Sequence, residues 1–437
     1  MATKKVAKKA VAPAVEKLAI DGGKKVWSKG FPAWPQFNPK TDKKVLDILH
    51  SGKVNYWTGP YGREFERAWA EWLGRRNAIA VSNGTAALHI ALSALGVGSG
   101  DEVICTSYSF IASSFCALQA GAIPVFCDVG SDHLIDPAKI EPLITSRTKA
   151  IVVVHLYGMV ADMDPIMEIA RRHGLFVVED CAQCIGGVYK GCKAGTIGDI
   201  GCFSFCQSKQ ITTGGEGGMV CCDDDDVAWE LRSLRDHGSD VKRKLEGKAS
   251  TDSRPYVHRR VGYNFRMTEM QSAIGLGELA RYDRWNLPRR VKLGKSLVAA
   301  LKDHPLVRFA PVDTDDRRNS FWLAPFVLRE DMLSVPVSQF IRAVQAEGVG
   351  AYAIFWPEMY RESAYTERRG FGTRNYPFDD PATGEPDWSN VDCPVAREMA
   401  RATIAFWTHP TFSSRHIAAD VKAFMKVAAA YMKQKGT

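Results

Sequence analysis

The sequence predicts an α/β fold, with a mainly parallel sheet covered by helices and a smaller α+β domain at the C-terminal end. The chain has 437 residues, of which 46% are hydrophobic and 24% charged, as is typical of a globular protein with room for two domains. From about residue 65 onward, short apolar runs alternate with segments of helical periodicity. Short buried strands joined by helical crossovers form parallel sheets that are covered on both faces.

The elements of the larger part follow one another as alternating helices and strands. Helices are predicted at residues 42–51, 66–73, 85–95, 110–119, 137–143, 165–173 and 227–234. Strands are predicted at 102–106, 123–128, 150–155, 175–179, 200–205 and 218–222. A polar, aromatic loop at 255–266 precedes the long apolar-periodic segment 269–280, which we expect to be the helix that joins two domains.

The remaining sequence predicts the smaller domain, with strands at 307–311 and 322–326 and helices at 337–347 and 417–431. Residues 361–390 are charged and rich in turn-forming residues, so we expect an exposed insertion there that shapes the acceptor pocket. The predicted division is a disordered Lys/Ala-rich tail at 1–17, an N-terminal arm at 18–60, a large domain at 61–280 and a small domain at 281–437.

The formal net charge of +8 comes partly from the N-terminal tail, which contains Lys4, Lys5, Lys8, Lys9 and Lys17. The tail has no apolar signal-peptide core, and no apolar run has the length of a membrane-spanning helix. We therefore expect a cytoplasmic protein without a membrane partner. Nucleic acid is not an expected partner, because these basic residues lack interleaved aromatic residues. A tail that binds nucleic acid is the alternative from another class of function.

The eleven cysteines do not predict a metal site. Most of them lie in apolar strand-like runs, where a free thiol behaves as a small hydrophobic side chain. Cys181 and Cys184 have CxxC spacing without a second such pair, and His173 is not at zinc-finger spacing. A reducing compartment and no bound metal are the expectation.

Lys209 and Asp180 are the candidate catalytic residues. Lys209 lies between the apolar run 200–205 and a glycine-rich turn, and Asp180 directly follows the apolar run 175–179. Pyridoxal phosphate chemistry requires a lysine near a buried carboxylate. The amine forms a Schiff base with the cofactor aldehyde, and the carboxylate keeps the pyridine nitrogen protonated.

Five other residues are candidates for holding such a cofactor. Gly84 and Thr85 begin a predicted helix, whose free N–H groups and dipole favour a phosphate. Ser204, on the strand before the lysine, offers a second phosphate donor. Phe110 follows a predicted strand, where its ring can stack on a flat heteroaromatic molecule. Gln183 comes three residues after the aspartate and can reach the face or the phenolic oxygen of the cofactor ring.

Seven motifs together carry a resemblance to a known family. They are 84–88 (GTAAL), 100–104 (GDEVI), 107–110 (SYSF), 153–158 (VVHLYG), 179–183 (EDCAQ), 198–205 (GDIGCFSF) with Lys209, and 262–269 (GYNFRMTE). With these motifs in family order, the chain resembles the DegT/DnrJ/EryC1/StrS aminotransferases over residues 18–435. That family consists of pyridoxal-phosphate enzymes that aminate keto-sugars and cyclitols.

The resemblance implies a fold type I transferase like aspartate aminotransferase, with a mainly parallel seven-stranded mixed sheet in the large domain. It also implies a homodimer with shared active sites. Lys209 matches the Schiff-base lysine and Asp180 the partner of the pyridine nitrogen. The other matches are Thr85, Ala86 and Ser204 at the phosphate, Phe110 stacked on the ring, Gln183 beside it, and Asn264 reaching the phosphate of the neighbouring subunit.

The implied reaction is a ping-pong transamination from glutamate or glutamine to a keto-sugar, as in lipopolysaccharide or antibiotic biosynthesis. The presence of Lys209 favours amination, since members with histidine in its place dehydrate sugars instead. A pyridoxal-phosphate lyase or dehydratase is the alternative. The acceptor stays open among nucleotide-linked keto-sugars, free sugar acids and cyclitols. Arg266, His237 and the segments 352–360 and 56–60 are candidates near the substrate, each with an equally plausible structural role.

Overall fold

The structure is a computed structural model that describes residues 16–245, 257–353, 356–384 and 386–433. Most of the predicted tail at 1–17 lies outside the described residues, as does the start of the predicted loop at 255–266. Among the described residues, no helix combines the length and the apolar character needed to cross a bilayer.

A seven-stranded mixed sheet forms the centre of the molecule. The strands up to residue 222 are β1 (Asn77–Val81), β2 (Glu102–Thr106), β3 (Ile123–Cys127), β4 (Thr148–Val154), β5 (Phe176–Asp180), β6 (Val188–Tyr189), β7 (Cys192–Lys193), β8 (Ile200–Ser204) and β9 (Gly218–Cys222). The sheet order is β1-β9-β8-β5-β4-β2-β3. Neighbours from β8 to β3 are parallel, whereas β9 is antiparallel to both β1 and β8. The predicted α/β class with a mainly parallel sheet is confirmed.

Helices cover both faces of this sheet. They are α1 (Pro39–Ser51), α2 (Tyr61–Leu73), α3 (Gly84–Ala94), α4 (Ala112–Ala120), α5 (Met163–His173), α6 (Asp225–Arg235), α7 (Val241–Leu245) and α8 (Glu269–Arg281). Side chains along a strand point alternately to the two faces. In β5, Val178 packs with the face covered by α3, α4 and α6, and Val177 packs with the face covered by α2 and α5.

A second sheet lies within the range predicted as the smaller domain. The helices and strands of this range are α9 (Leu287–Leu301), β10 (Val307–Phe309), β11 (Arg317–Arg318), β12 (Leu323–Leu328), α10 (Val337–Ala346), β13 (Ala351–Ala353), α11 (Ser363–Thr366), α12 (Pro394–Ala402), β14 (Thr403–Trp407) and α13 (Ser414–Tyr431). The four-stranded sheet has the order β10-β12-β14-β13, and β11 joins β6 and β7 in a small separate sheet. A hydrophobic cluster of its own lies between the four strands and α9, α10 and α13.

Several elements differ from the sequence-based prediction, among them three near the main sheet and the junction to the second sheet. Residues 137–143 form two short 3-10 turns instead of a helix, because Pro142 has no N–H to donate within a helical turn. Strand β1 and helix α9 lie where none was predicted. A π-helical stretch, Tyr282–Asn286, connects α8 to α9, so that the predicted joining helix continues to residue 301.

The segment 361–390 is less exposed than predicted. Tyr365, Phe378 and Trp388 are buried in the main core. Trp388 Nε1 donates to the carbonyl of Pro124 on the edge strand β3 at 3.0 Å, and Tyr365 OH donates to Ser114 Oγ at 2.7 Å. The segment therefore covers the sheet edge at β3, where it helps to line a separate cavity of about 590 Å³. None of its described residues lines the cavity described next, so its predicted part in the acceptor pocket gains no support.

Candidate active site

A cavity of about 840 Å³ lies at the carboxyl ends of the parallel strands β2, β4, β5 and β8. In open α/β sheets, ligands bind in this position. Eight of the nine predicted site residues line it: Gly84, Thr85, Ala86, Phe110, Asp180, Gln183, Ser204 and Lys209. Four aromatic residues that lie in or next to strands of the second sheet also line it: Trp322, Tyr352, Trp356 and Trp407.

The Lys209 side chain projects into this cavity from the irregular segment after β8. Its Nζ lies 4.3 Å from the centre of the Trp322 ring, within range of a cation–π contact. Burial lowers the pKa of Lys209 below its ordinary value, and the Asp180 carboxylate opposes this effect. A lysine in this environment yields a free amine more readily than one in water, as a nucleophile needs.

Asp180 is the last residue of β5, and its carboxylate is buried at the base of the cavity. Ser113 Oγ donates to Oδ2 at 2.7 Å, and the Ala182 N–H donates to Oδ1 at 3.0 Å. Burial raises the pKa of Asp180, while these two hydrogen bonds favour its ionised form. The carboxylate is thus fixed in orientation before any ligand binds.

A buried pair behind Asp180 fixes the end of β5. His155 Nε2 and Glu179 Oε2 are 2.9 Å apart, and His155 Nδ1 accepts the Ala161 N–H at 3.1 Å. Although burial alone would raise the pKa of Glu179, the histidine and backbone N–H donors hold it below its usual value. Together with Cys181, this pair is the one group with metal-ligand proximity among the described residues. Both imidazole nitrogens already have protein partners, so the group is accounted for as a hydrogen-bond network.

The N-terminus of α3 forms the end of the cavity predicted to bind phosphate. Asn83 caps the helix, and its Oδ1 accepts the Ala86 N–H at 2.8 Å. The first intrahelical bond runs from the Ala87 N–H to the Asn83 carbonyl at 3.1 Å, which leaves the Gly84 and Thr85 N–H groups ahead of it. We therefore expect an anion to draw first on these two groups rather than on Ala86.

Close packing of two backbone segments shapes the same end of the cavity. A Cβ atom placed on Gly84 would lie 2.7 Å from Ser204 Cβ and 3.2 Å from its Oγ. A side chain at residue 84 would therefore fill the space between the α3 N-terminus and the Ser204 hydroxyl. The glycine keeps both groups close enough to act on one anion.

Phe110 and Gln183 lie on two sides of the cavity. Phe110 lies between β2 and α4, lines the cavity and has 52% of its surface exposed, so its ring is accessible to a ligand. Gln183 is buried, and its Oε1 accepts the Tyr157 N–H at 3.1 Å. This hydrogen bond fixes the orientation of the side-chain amide. Both positions suit the roles predicted for them.

The structure does not bring Asn264, Arg266 or His237 to this cavity in a single chain. Asn264 is exposed, and Arg266 forms an ion pair with Asp236. Tyr56, in the predicted segment 56–60, is buried and donates from its hydroxyl to Glu66 at 2.9 Å. These residues have structural contacts within their own chain.

Sequence reasoning missed Trp322 and Trp407 as cavity residues, whereas Tyr352 and Trp356 lie in the segment 352–360 that it proposed near the substrate. Trp407 ends β14, for which no strand was predicted. In the sequence, each of these tryptophans lies beside a short apolar run. Ordinary core residues lie in the same kind of sequence, so this feature does not indicate a cavity.

The residues present fit pyridoxal phosphate. The cavity offers an amine, a buried oriented carboxylate, an exposed aromatic ring, and a helix N-terminus with a nearby hydroxyl that a Cβ at Gly84 would block. These features define a pyridoxal-phosphate site at the strand ends of an α/β fold.

Comparisons with known proteins agree with this site. The model of the DegT/DnrJ/EryC1/StrS aminotransferase family matches residues 35–385, and the chain belongs to this family. It is therefore an aminotransferase, and its cofactor is pyridoxal phosphate.

Two curated relatives and one solved structure illustrate the similarity. GDP-perosamine synthase of Caulobacter vibrioides is 40% identical over 333 residues, covering 73% of this chain and 83% of the relative. L-glutamine:2-deoxy-scyllo-inosose aminotransferase of Streptomyces fradiae is 34% identical over 429 residues, covering 96% of this chain and 97% of the relative. The solved aminotransferase from Psychrobacter cryohalolentis is 36% identical with a TM-score of 0.83, covering 92% of this chain and 99% of the other.

Proposed function

We propose that this enzyme transfers an amino group from glutamate or glutamine to the carbonyl of a keto-sugar or cyclitol and so makes an amino sugar. The observation that carries the proposal is the convergence of Lys209, Asp180 and the α3 N-terminus on one cavity. The similarity to a perosamine synthase and to a glutamine-dependent inosose aminotransferase supports a sugar-like acceptor, and the latter also supports glutamine as donor.

Each part of the cavity has a separate task in binding. Bound pyridoxal phosphate would supply an aldehyde that bonds covalently to amines and a ring that withdraws electrons. The Gly84 and Thr85 N–H groups and the Ser204 hydroxyl would hold its phosphate. Phe110 would cover one ring face, and Asp180 would hold the proton on the ring nitrogen.

Lys209 would act twice. Its amine would first hold the cofactor covalently, and once displaced by the amino donor it would act as the base that takes up and returns a proton at Nζ. Burial lowers the pKa of this amine from its ordinary value, which favours the basic form that the second task needs. We propose a ping-pong order in which the donor leaves as a 2-oxo acid before the acceptor binds, because both substrates must use this one amine.

The aromatic wall would receive the acceptor. Four aromatic side chains line the cavity beside the main-sheet residues: Trp322, Tyr352, Trp356 and Trp407. Aromatic faces pack against the C–H faces of saturated rings, which nucleotide-linked sugars, free sugar acids and cyclitols share. The wall therefore supports a saturated-ring acceptor without selecting one of these three classes.

We also propose a homodimer in which Asn264 completes the site of the neighbouring subunit. Asn264 is exposed and lies outside the cavity of its own chain. Its loop is nevertheless held in place, since it pairs with Asp236 and the Arg266 side chain binds the same aspartate. A fixed, exposed amide outside its own site is suited to reach a partner's site.

A substrate assay tests the reaction type. Purified enzyme with pyridoxal phosphate is incubated with glutamate or glutamine and a panel of keto-sugars and inososes. We expect the 2-oxo acid and the aminated acceptor in equal amounts, measured by mass spectrometry. Loss of water from the acceptor without amine transfer would instead support the lyase or dehydratase alternative and contradict the proposal.

A further inference from the structure

Three consecutive carbonyl oxygens around the candidate Schiff-base lysine are each bound by a side chain from a different part of the chain. Trp322 Nε1 donates to the Ser208 carbonyl at 2.7 Å, and Trp34 Nε1 donates to the Lys209 carbonyl at 3.1 Å. Asn286 Nδ2 donates to the Gln210 carbonyl at 2.6 Å. We refer to Trp34, Asn286 and Trp322 as the lysine clamp.

The lysine clamp holds a backbone segment that has no regular hydrogen-bond ladder of its own. Residues 206–213 follow β8 and belong to no helix or strand. The N–H groups of Gln207, Lys209 and Thr213 donate to backbone carbonyls. The three consecutive carbonyls of residues 208–210 are instead satisfied by the clamp side chains, so this part of the segment depends on them. The three clamp residues come from the predicted N-terminal arm, the junction between α8 and α9, and the start of β12, so they tie three remote segments to the lysine.

A buried arginine supports two of the three clamp residues from behind. Arg290 is fully buried, and its Nε donates to Asn286 Oδ1 at 2.7 Å. Its guanidinium carbon lies 4.9 Å from the centre of the Trp34 ring. The same guanidinium thus orients the Asn286 amide and packs on the Trp34 indole.

Trp322 has a second contact with the lysine, because its ring lies 4.3 Å from Nζ. The negative face of an indole ring favours a cation above it. The charged or titratable groups that act on the same amine are the Asp180 carboxylate, Cys206 and Glu216. The Trp322 ring acts on the amine without depending on the ionisation of another side chain.

We propose that Trp34, Asn286 and Trp322 are positioning residues that hold the Lys209 peptide in place while its amine moves, and that the Trp322 ring favours the charged form of this amine. The proposal rests on Lys209 being the residue that binds pyridoxal phosphate. It extends the proposed function by assigning roles to residues of the arm and of the second sheet.

The first test measures how fast the apoenzyme captures pyridoxal phosphate, followed by absorbance. In this step the Lys209 amine and the cofactor aldehyde form a carbon–nitrogen double bond and release one water. Trp34→Phe and Trp322→Phe each remove one N–H donor and keep an aromatic ring. We expect capture slower by about two- to tenfold in each, as the loss of one hydrogen bond predicts. Trp229→Phe, at a half-buried indole on α6 remote from the cavity, is the matched control and should capture at the normal rate.

The second test uses the apoenzyme alone. Acylation of Lys209 by acetic anhydride is followed by mass spectrometry across a pH series, because only the free amine reacts. We expect the midpoint of this profile to move to lower pH in Trp322→Leu, with acylation about two- to fivefold faster below the midpoint, and to stay near normal in Trp322→Phe. Altered access alone would change the plateau of the profile and leave its midpoint in place.

Two results would overturn the proposal, provided that circular dichroism shows folded variants. One is a normal capture rate in both Trp→Phe variants, and the other is an unchanged acylation midpoint in Trp322→Leu. Borohydride trapping of the cofactor on Lys209 in the unaltered enzyme is done in parallel. If the trap fails there, the proposed function fails, whereas a successful trap with normal variants contradicts the lysine clamp alone.

Discussion

At the scale of single residues, the roles of Lys209 and Asp180 depend on their contacts at the base of the cavity. Asp180 is held by Ser113 Oγ and the Ala182 N–H, and both bonds use the carboxylate oxygens as acceptors. Asparagine at residue 180 keeps one such oxygen and the side-chain shape but loses the negative charge. Charge and shape can therefore be tested separately at this residue.

We predict that Asp180→Asn lowers kcat by about 10²-fold or more while the fold is kept, because the ring nitrogen of the cofactor would lose the carboxylate that holds its proton. A loss of about 3 kcal/mol of transition-state stabilisation corresponds to this factor. The measurement is steady-state kinetics together with the melting temperature. Ser113→Ala is the matched comparison, since it removes one hydrogen bond to the same carboxylate and should cost far less. Equal activity of Asp180→Asn and the unaltered enzyme would contradict the role of the charge.

We predict that Gly84→Ala weakens pyridoxal phosphate binding by about tenfold or more. The added Cβ would lie 2.7 Å from Ser204 Cβ and would fill the space assigned to the phosphate. Gly98→Ala is the control, since a Cβ there meets its nearest atom, the Ala120 carbonyl oxygen, at an ordinary 3.8 Å. Cofactor affinity is measured by titration of the apoenzyme, and equal affinities of the two variants would argue against the phosphate site.

The candidate site could be predicted from sequence to the extent that its residues follow strand ends. Asp180, Ser204 and Phe110 each end or closely follow a parallel strand, so topology alone brings them to one edge of the sheet. Trp322 and Trp407 could not be found in this way, because their place depends on how the second sheet packs over the first. The sequence also did not show that the Ala86 N–H is already bound by the Asn83 side chain, because the residue pattern does not reveal which N–H groups at a helix start are capped.

At the scale of elements, most helices and strands of the main sheet up to residue 222 were predicted within a few residues, whereas β1, β14 and α9 were missed. The predicted strand at 102–106 has the bounds of β2, and the predicted helix at 165–173 differs from α5 by two residues at its start. Strand β1 was missed because its short run, NAIAV, directly follows α2 with few turn-forming residues between them. The turns at 137–143 show helical spacing that a proline interrupts.

Helix α13 carries a buried acid that should make stability depend on pH. Asp420 Oδ1 accepts the Gly350 N–H at 3.2 Å, and burial raises the pKa of Asp420 to about 8. Between its unfolded and folded pKa values, the native state binds a proton that the unfolded state does not. The free energy of unfolding should therefore fall as pH rises from about 4 to about 8, by at most about 1.4 kcal/mol per pH unit.

We predict that Asp420→Asn flattens this fall, because an amide stays neutral at every pH and still accepts the Gly350 N–H. Denaturant unfolding of both proteins at pH 5 and pH 8 measures the difference. The variant should gain stability relative to the unaltered enzyme at pH 8 more than at pH 5. Parallel stability curves for the two proteins would show that Asp420 is ionised in the native state.

At the scale of the whole molecule, the cavity lies where two sheets meet. The main sheet supplies the amine, the carboxylate and the helix N-terminus, and the second sheet supplies the aromatic wall. The lysine clamp draws on the predicted arm and on the second sheet as well. The division of the chain at residue 280 remains a prediction, and the site uses residues from both sides of it.

Mixing two inactive variants tests the proposed shared site. Lys209→Ala and Asn264→Ala are combined, unfolded and refolded at equal amounts. If Asn264 serves the partner's site, each mixed dimer has one intact site, and activity should return to about a quarter of normal. Refolding each variant alone is the control. No gain in the mixture, with dimers confirmed by light scattering, would contradict the shared site.

The central claim is that Lys209 binds pyridoxal phosphate covalently in the cavity at the end of the parallel strands. It is tested most directly by borohydride reduction of the purified enzyme, proteolysis and mass spectrometry of the labelled peptide. The account predicts a single phosphopyridoxyl group on Lys209, absent from Lys209→Ala. A label on another lysine, or none after reconstitution with the cofactor, would contradict it.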